Sequence, residues 1–175
     1  MVVGWGRRAL NDPVLRPLAA DSLHITLAFL GYLPEKEIPR LGEIVAASGG
    51  RAPAIELRDP VARPERGRPR LFALPAESPG TIALQAGLRE KLVAARLYRP
   101  EKRPFWPHVT VARVRREERG SNRPALVTKL PGALPQGLLQ LAVCRRMTLY
   151  RSELQPQGAQ YTPLAQVELP AGGRQ

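Results

Sequence analysis

The chain contains two histidines, and both begin the same four-residue pattern, His-apolar-Thr-apolar. The two copies are HITL, starting at His24, and HVTV, starting at His108. Residues two apart in a β-strand project from the same face, so each histidine emerges beside its threonine, Thr26 or Thr110. If the two strands lie side by side or across a cleft, two imidazoles and two hydroxyls converge.

That set of groups suits the cleavage of a phosphate ester. Imidazole titrates near neutral pH, so one ring can accept a proton while the other, charged, donates one. Each threonine hydroxyl can donate a hydrogen bond to a non-bridging phosphate oxygen. The arrangement requires neither a metal ion nor a cofactor.

Other interpretations of these residues remain open from the sequence. A histidine on an amphipathic strand is often a hydrogen-bonded packing residue, and a threonine there can reflect β-propensity alone. A two-histidine metal site would need a carboxylate, and neither motif contains one. The single cysteine, Cys144, lies in the apolar stretch LAVCRRM, where a buried and inert thiol is the usual case.

Composition limits the class of protein. The 175 residues carry 27 Lys and Arg against 15 Asp and Glu, a formal charge of +12. The segment from Arg96 to Arg123 supplies half of that excess. A basic surface attracts polyanions such as RNA, although an arginine bias can equally reflect the coding composition of a genome. No apolar run is long enough to span a bilayer, and the N-terminus lacks the apolar core of a signal peptide, so a cytoplasmic protein is expected.

Hydrophobic periodicity and turn signals predict a β-α-β-β-α-β-β-β order, an α+β fold with mostly antiparallel sheet. One domain is expected over residues 1–170, followed by a flexible tail at 171–175. The stretch before the first motif, MVVGWGRRALNDPVL, shows no strand signal, and DPVARPERGRP is predicted to be a loop. The predicted strands are 23–30, 54–57, 70–76, 108–114, 139–151 and 160–169, and the predicted helices are 35–48 and 79–97.

At its two motifs the sequence resembles the 2H phosphoesterase superfamily, which is named for paired HxTx motifs. Within it the chain is similar to the bacterial and archaeal RNA 2′,3′-cyclic phosphodiesterases, also called 2′-5′ RNA ligases. The stretches SLHITLAFLG, FWPHVTVAR and LYRSELQPQGAQYTPLAQVEL carry the resemblance. It implies a bilobal fold of two mostly antiparallel sheets with helices packed outside, each lobe supplying one motif to a central cleft. Such relatives begin with an additional strand and helix, which are expected to be missing or shortened here.

The resemblance also implies an activity, the metal-independent hydrolysis of RNA 2′,3′-cyclic phosphate ends to 2′-phosphomonoesters. Reverse 2′-5′ ligation would be a side activity. By analogy His108 would be the proton acceptor that activates water, His24 the proton donor, and Thr26 and Thr110 the groups that hold the phosphate. A non-catalytic RNA-binding module using the same basic cleft is the alternative. A monomer is the simplest expectation.

Three further residues are candidates for substrate contact. Arg113 follows the second motif, as an arginine does in many relatives. Its odd spacing from His108 would turn it to the opposite face of a regular strand, unless the strand twists or bulges between them. Phe105 and Trp106 precede the motif and could stack on a base, or could instead close the interface between the lobes.

Overall fold

The computed structural model describes residues 2–136, 142–155 and 158–171. They form two compact units. The first unit comprises Met1–Thr26, Glu56–Glu77 and Trp106–Leu141, and the second comprises Leu27–Ile55, Ser78–Phe105 and Ala142–Gln175. The helices are α1 (Val2–Ala9), α2 (Ile38–Ala47) and α3 (Pro79–Ala94), and the strands are β1 (Leu15–Pro17), β2 (Ala54–Leu57), β3 (Val61–Arg63), β4 (Leu71–Glu77), β5 (His108–Val114), β6 (Ala142–Val143), β7 (Arg146–Gln155) and β8 (Gly158–Glu168).

The first unit is built on an antiparallel sheet with β4 and β5 at its centre. Strand β5 pairs with β4 on one side and with β1 on the other. The edge of β4 that faces away from β5 pairs with β3 and, further along, with the last two residues of β2. Mixed helix and antiparallel sheet is the predicted fold class, which is confirmed.

One face of this sheet is the core of the first unit. Phe72 and Leu74 of β4 are almost completely buried, with exposed fractions of 2% and 0%. Burying each such side chain contributes about 1.5–3 kcal/mol. The alternation of the strand therefore leaves its opposite face available for polar side chains. The other buried apolar residues of this unit include Trp5, Leu10, Leu15, Leu57, Val111 and Ala112.

The second unit packs its helices against the long hairpin formed by β7 and β8. Helix α2 contacts both strands and also α3. Helix α3 begins after Ser78, whose hydroxyl accepts a hydrogen bond from the Thr81 N–H and donates one to the Ala54 carbonyl. This cap satisfies a backbone donor that would otherwise lack a partner. The buried cluster of this unit is Leu41, Val45, Leu88, Leu92, Leu97, Met147, Leu149 and Leu169.

Several predicted elements match closely, and β2 and β5 have the predicted bounds. The predicted strand 139–151 is instead two strands, β6 and β7, and its residues 139–141 lie outside the described residues. Strands β7 and β8 pair as far as Gln155 and Gly158. Residues 156 and 157 between them lie outside the described residues, as do 172–175 of the predicted tail.

The predicted strand 23–30 was wrong. Within residues 23–30, Ile25 alone forms a β-bridge, with Val109. The reason lies in the residues that follow, because Leu27, Ala28 and Leu30 pack against the buried cluster of the second unit rather than in a ladder. The apolar run that resembled a strand therefore belongs to two different cores.

Two segments without a predicted strand each contain a short one. The residues before the first motif form α1 and β1, although no strand signal was found there. Within the expected loop DPVARPERGRP, Val61–Arg63 pairs with β4 as β3. Both strands have three residues and contain or adjoin proline, so their propensity is weak and pairing with a longer neighbour forms them.

Asp12 joins the N-terminal segment to a distant loop of the first unit. One of its carboxylate oxygens accepts a hydrogen bond from the Val14 N–H, and the other accepts from the N–H groups of Thr128 and Lys129 and from the Thr128 hydroxyl, at 2.8–3.0 Å. These donors, the Val14 N–H first, lower the pKa of the Asp12 carboxyl to about 2. Hydrogen bonds to a carboxylate favour its charged form.

We expect Asp12→Ala to lower the melting temperature by about 5–10 °C, because several N–H donors lose their acceptor. The effect should depend on pH. The native pKa is lowered, so the stabilisation is complete above about pH 4 and is lost as the pH falls toward about 2. Circular dichroism melts of wild type and Asp12→Ala at several pH values measure this. A melting difference that stays constant between pH 5 and about 2 would contradict the assignment.

Candidate active site

The two His-x-Thr motifs lie side by side on the first unit. Ile25 forms an antiparallel bridge with Val109 of β5. This register places His24 opposite Thr110 and Thr26 opposite His108, with all four side chains on the face away from Ile25 and Val109. We call this surface the histidine face. The expectation that each lobe supplies one motif was wrong, because both motif pairs belong to the first unit.

Both imidazoles are held in the same way. The Nδ1 atom of His24 lies 2.8 Å from the Ser22 carbonyl oxygen, and that of His108 lies 2.8 Å from the Trp106 carbonyl oxygen. A carbonyl oxygen can only accept, so each Nδ1 carries a hydrogen and donates it. The other ring nitrogen, Nε2, is then the basic atom of a neutral ring and the second donor of a charged one. Either ring can therefore move a proton through Nε2.

The four motif side chains are accessible to a substrate. His24, His108 and Thr110 are half-buried, and Thr26 is exposed. Among the residues that the structure describes, no group of three or more His, Cys, Asp or Glu could hold a metal ion. Cys144 belongs to the second unit, and burial raises the pKa of its thiol. A raised pKa reduces the thiolate fraction on which nucleophilic attack depends.

A bulge in β5 brings Arg113 to the histidine face. Ala73 of β4 pairs with Thr110, but the next residue, Phe72, pairs with Ala112. Val111 is thus the extra residue, and its carbonyl accepts a hydrogen bond from the Leu18 N–H. An extra residue reverses the alternation beyond it. The odd spacing that would have turned Arg113 away is thereby compensated.

Trp106 and Phe105 fall in different surroundings. The indole ring of Trp106 stacks on the His108 imidazole, with ring centroids 4.1 Å apart and planes inclined by 17°. The Arg63 guanidinium carbon lies 4.1 Å from the centroid of the same indole. Trp106 therefore already has two partners within its own unit. Phe105 belongs to the second unit and is half-buried, and its contact with a base stays a prediction.

Sequence reasoning missed two residues on this face, Arg16 and Arg63. Arg16 pairs with Arg113, and Arg63 pairs with Leu71, which itself pairs with Arg113. Paired residues in adjacent strands share a face, so both arginines lie on the histidine face. Strands β1 and β3 are too short to show an alternation. The sequence therefore offered only the basic composition of these segments as a signal for Arg16 and Arg63.

Comparisons with known proteins place the chain in a family. The sequence profile of the 2′-5′ RNA ligase superfamily matches residues 7–154. An RNA 2′,3′-cyclic phosphodiesterase of Thermus thermophilus is 34% identical over 166 residues, which cover 88% of this chain and 75% of the relative. One of Aeropyrum pernix is 31% identical over 163 residues, covering 91% and 89%.

Two solved structures have a similar fold. A crystal structure of a Thermus thermophilus protein superposes with a TM-score of 0.75 at 29% identity, covering 98% of this chain and 91% of that one. Escherichia coli LigT in complex with 3′-AMP superposes with a TM-score of 0.72 at 26% identity, covering 96% and 88%.

The carbonyl contacts predict the tautomer of both histidines. At a pH where the rings are neutral, we expect the hydrogen on Nδ1 in His24 and in His108, since each Nδ1 faces a carbonyl oxygen. Long-range proton–nitrogen correlation spectra of the ¹⁵N-labelled protein distinguish the two tautomers directly. The chain has two histidines, so single variants assign the signals. A hydrogen on Nε2 of either ring would contradict this arrangement.

Proposed function

Because this chain belongs to the 2′-5′ RNA ligase superfamily, we propose that its histidine face hydrolyses the 2′,3′-cyclic phosphate at the 3′ end of RNA. The product is a 2′-phosphomonoester. The observation that carries the proposal is the Ile25–Val109 register, which gathers two imidazoles and two hydroxyls on one face. The RNA 2′,3′-cyclic phosphodiesterases to which the chain is similar act on the same class of ester by name.

The reaction needs one proton removed and one delivered. His108, neutral at Nε2, takes a proton from a water molecule as its oxygen attacks the phosphorus. The P–O3′ bond breaks, and charged His24 gives the proton on its Nε2 to the departing O3′. The 2′ oxygen stays bonded to phosphorus. The imidazoles then return to their starting states by proton exchange with water. The resemblance to the family assigns the acid and the base, because the two rings have equivalent hydrogen bonds.

The threonines stabilise the phosphate while these transfers take place. The register places Thr110 opposite His24 and Thr26 opposite His108, so each hydroxyl stands beside an imidazole on the same face. A hydroxyl at each position can donate to a non-bridging oxygen, where negative charge accumulates during attack. Arg113, on the same face beyond the bulge, supplies a positive charge to the substrate.

The partner, the location and the oligomeric state are part of the same proposal. RNA is the proposed partner, and reverse 2′-5′ ligation is the proposed side activity of the same residues. A cytoplasmic location, a monomeric state, and the absence of a metal or cofactor stay predictions. No helix in the described part of the chain has the length and apolar character to cross a membrane.

Replacing either histidine should abolish most of the activity. For His24→Ala and His108→Ala we expect kcat to fall by about 10²–10⁴-fold, the usual contribution of a positioned acid or base. The assay follows a short RNA with a 2′,3′-cyclic phosphate end in EDTA, resolving the 2′- and 3′-phosphate products. Cys144→Ala is the matched control and should keep full activity.

Specific outcomes would contradict the proposal. Turnover by both histidine variants at the wild-type rate would remove the two-histidine mechanism. A folded wild type that binds RNA but turns none over would favour the non-catalytic binding module. A 3′-phosphate product would mean that the other ester bond is cleaved.

The threonines can be tested separately from the histidines. Thr26→Val and Thr110→Val remove a hydroxyl at nearly constant shape, and each should lower kcat by about 10²-fold, as loss of a transition-state donor does. Thr26→Ser and Thr110→Ser keep the donor and should retain most of the activity. If valine and serine at one position behave alike in steady-state kinetics, the hydroxyl there has no role in catalysis.

A further inference from the structure

We propose that Arg16, Arg113 and Arg63 form one phosphate-binding row, and that it holds the phosphodiester on the 5′ side of the reacting nucleotide. Of these three arginines, the sequence predicted substrate contact for Arg113 alone. The inference rests on the proposed function, and it narrows the substrate class to RNA oligonucleotides rather than cyclic mononucleotides.

The row follows from strand register. Arg16 of β1 pairs with Arg113 of β5, Arg113 pairs with Leu71 of β4, and Leu71 pairs with Arg63 of β3. These four residues therefore form a single line across four strands, spaced by about 4.8 Å from strand to strand. The bulge at Val111 puts the line on the face that carries His108 and Thr110. If β5 alternated regularly through Val111, Arg113 would instead face the apolar core.

The register sets two like charges of this line directly opposite each other. Like charges directly opposite one another in adjacent strands are destabilising, and Arg16 faces Arg113 in this way. Among the ion pairs of the described residues, none involves Arg113. A phosphate between the two guanidinium groups would relieve their repulsion and accept several charge-assisted hydrogen bonds.

Arg63 is held at the other end of the row. Its guanidinium lies over the Trp106 indole, and this cation–π contact holds the end of the row in place. Its partner is the carboxylate of Glu65 at 2.8 Å. The Glu65 side chain is 76% exposed, and an exposed ion pair contributes only about 0–1 kcal/mol. A substrate phosphate can displace that carboxylate at little cost.

Other arginines of the first unit are engaged differently. Arg68 and Arg123 both pair with Glu117, and the hydrogen bond from Arg68 lowers the pKa of Glu117. Arg123 lies outside the strands of the row and has an exposed side chain. It therefore offers a control that removes the same charge from the same unit.

The substrate of the proposed function fits this line. Chain polarity places the next phosphate of an RNA on the 5′ side of the nucleotide whose cyclic phosphate reacts. Thr110 pairs with Ala73 and Arg113 with Leu71, two residues further along β4, so the two lie roughly 7 Å apart along the sheet, a separation that a long arginine side chain can reduce. A cyclic mononucleotide lacks that second phosphate and gains nothing from the row.

The test compares two substrates in three variants. Steady-state kinetics of Arg16→Gln, Arg63→Gln and the control Arg123→Gln are measured on a short RNA with a 2′,3′-cyclic phosphate end and on 2′,3′-cyclic AMP. Each row variant should raise KM for the RNA by about 10-fold. Turnover of the mononucleotide should change by less than about 2-fold, and Arg123→Gln should resemble wild type.

A binding measurement makes the test independent of turnover. Fluorescence anisotropy with the same RNA carrying a 2′-phosphate end gives Kd as a function of salt. Loss of one contact to single-stranded RNA should reduce the slope of log Kd against log salt by about 0.7. Thermal melts confirm that each variant is folded.

The outcomes separate this inference from the function on which it rests. Equal losses on both substrates, or a loss in Arg123→Gln as large as in the row variants, would overturn the row. If wild type turns over neither substrate, the proposed function fails, and the anisotropy series alone decides the row. Weaker RNA binding confined to Arg16→Gln and Arg63→Gln would then support it, and equal binding by all variants would refute it.

Discussion

The candidate site depends on one short contact, the antiparallel bridge between Ile25 and Val109 at the edge of β5. A single bridge provides little stabilisation by itself. It is held by what flanks it, because β1 pairs with the far end of β5 and the chain beyond Thr26 is anchored in the core of the second unit. Because the chain is held before and after Ile25, His24 lies opposite Thr110 and Thr26 lies opposite His108. A slip of one residue would turn both side chains toward the apolar side.

The same strand solves a second geometric problem. His108, Thr110 and Arg113 cannot share a face of a regular strand, because their spacing mixes two and three residues. The extra residue Val111 reverses the alternation, and its burial at 2% exposure keeps it in the core beside Ala112. The Leu18 N–H satisfies the carbonyl at the bulge. The extra residue thereby brings Arg113, with Arg16 opposite it, to the histidine face, where Leu71 connects them to Arg63 of β3.

The pseudo-symmetry of the site is closer for its hydrogen bonds than for its surroundings. Each imidazole bonds through Nδ1 to the carbonyl two residues before it. The side chains at those positions differ, since Ser22 precedes one histidine and Trp106 the other. The indole stacks on His108 and also contacts Arg63, so positive charge and aromatic surface gather beside His108. This asymmetry arises from the residues around the motifs.

The sequence alone predicted most of the fold and indicated the chemistry proposed for the histidine face. Two motifs of the same pattern predicted the pairs of imidazoles and hydroxyls. Clear alternation or helical periodicity predicted β2, β5 and the approximate spans of α2 and α3. The tertiary structure decided which residues join those pairs. Strands β1 and β3 have too few residues to show a period, and they form by pairing with longer neighbours. The apolar run 23–30 divides after Thr26 between two cores. The bulge at Val111 is visible only in the strand register. Arg16 and Arg63 therefore reach the site through long-range pairing, which no local pattern encodes.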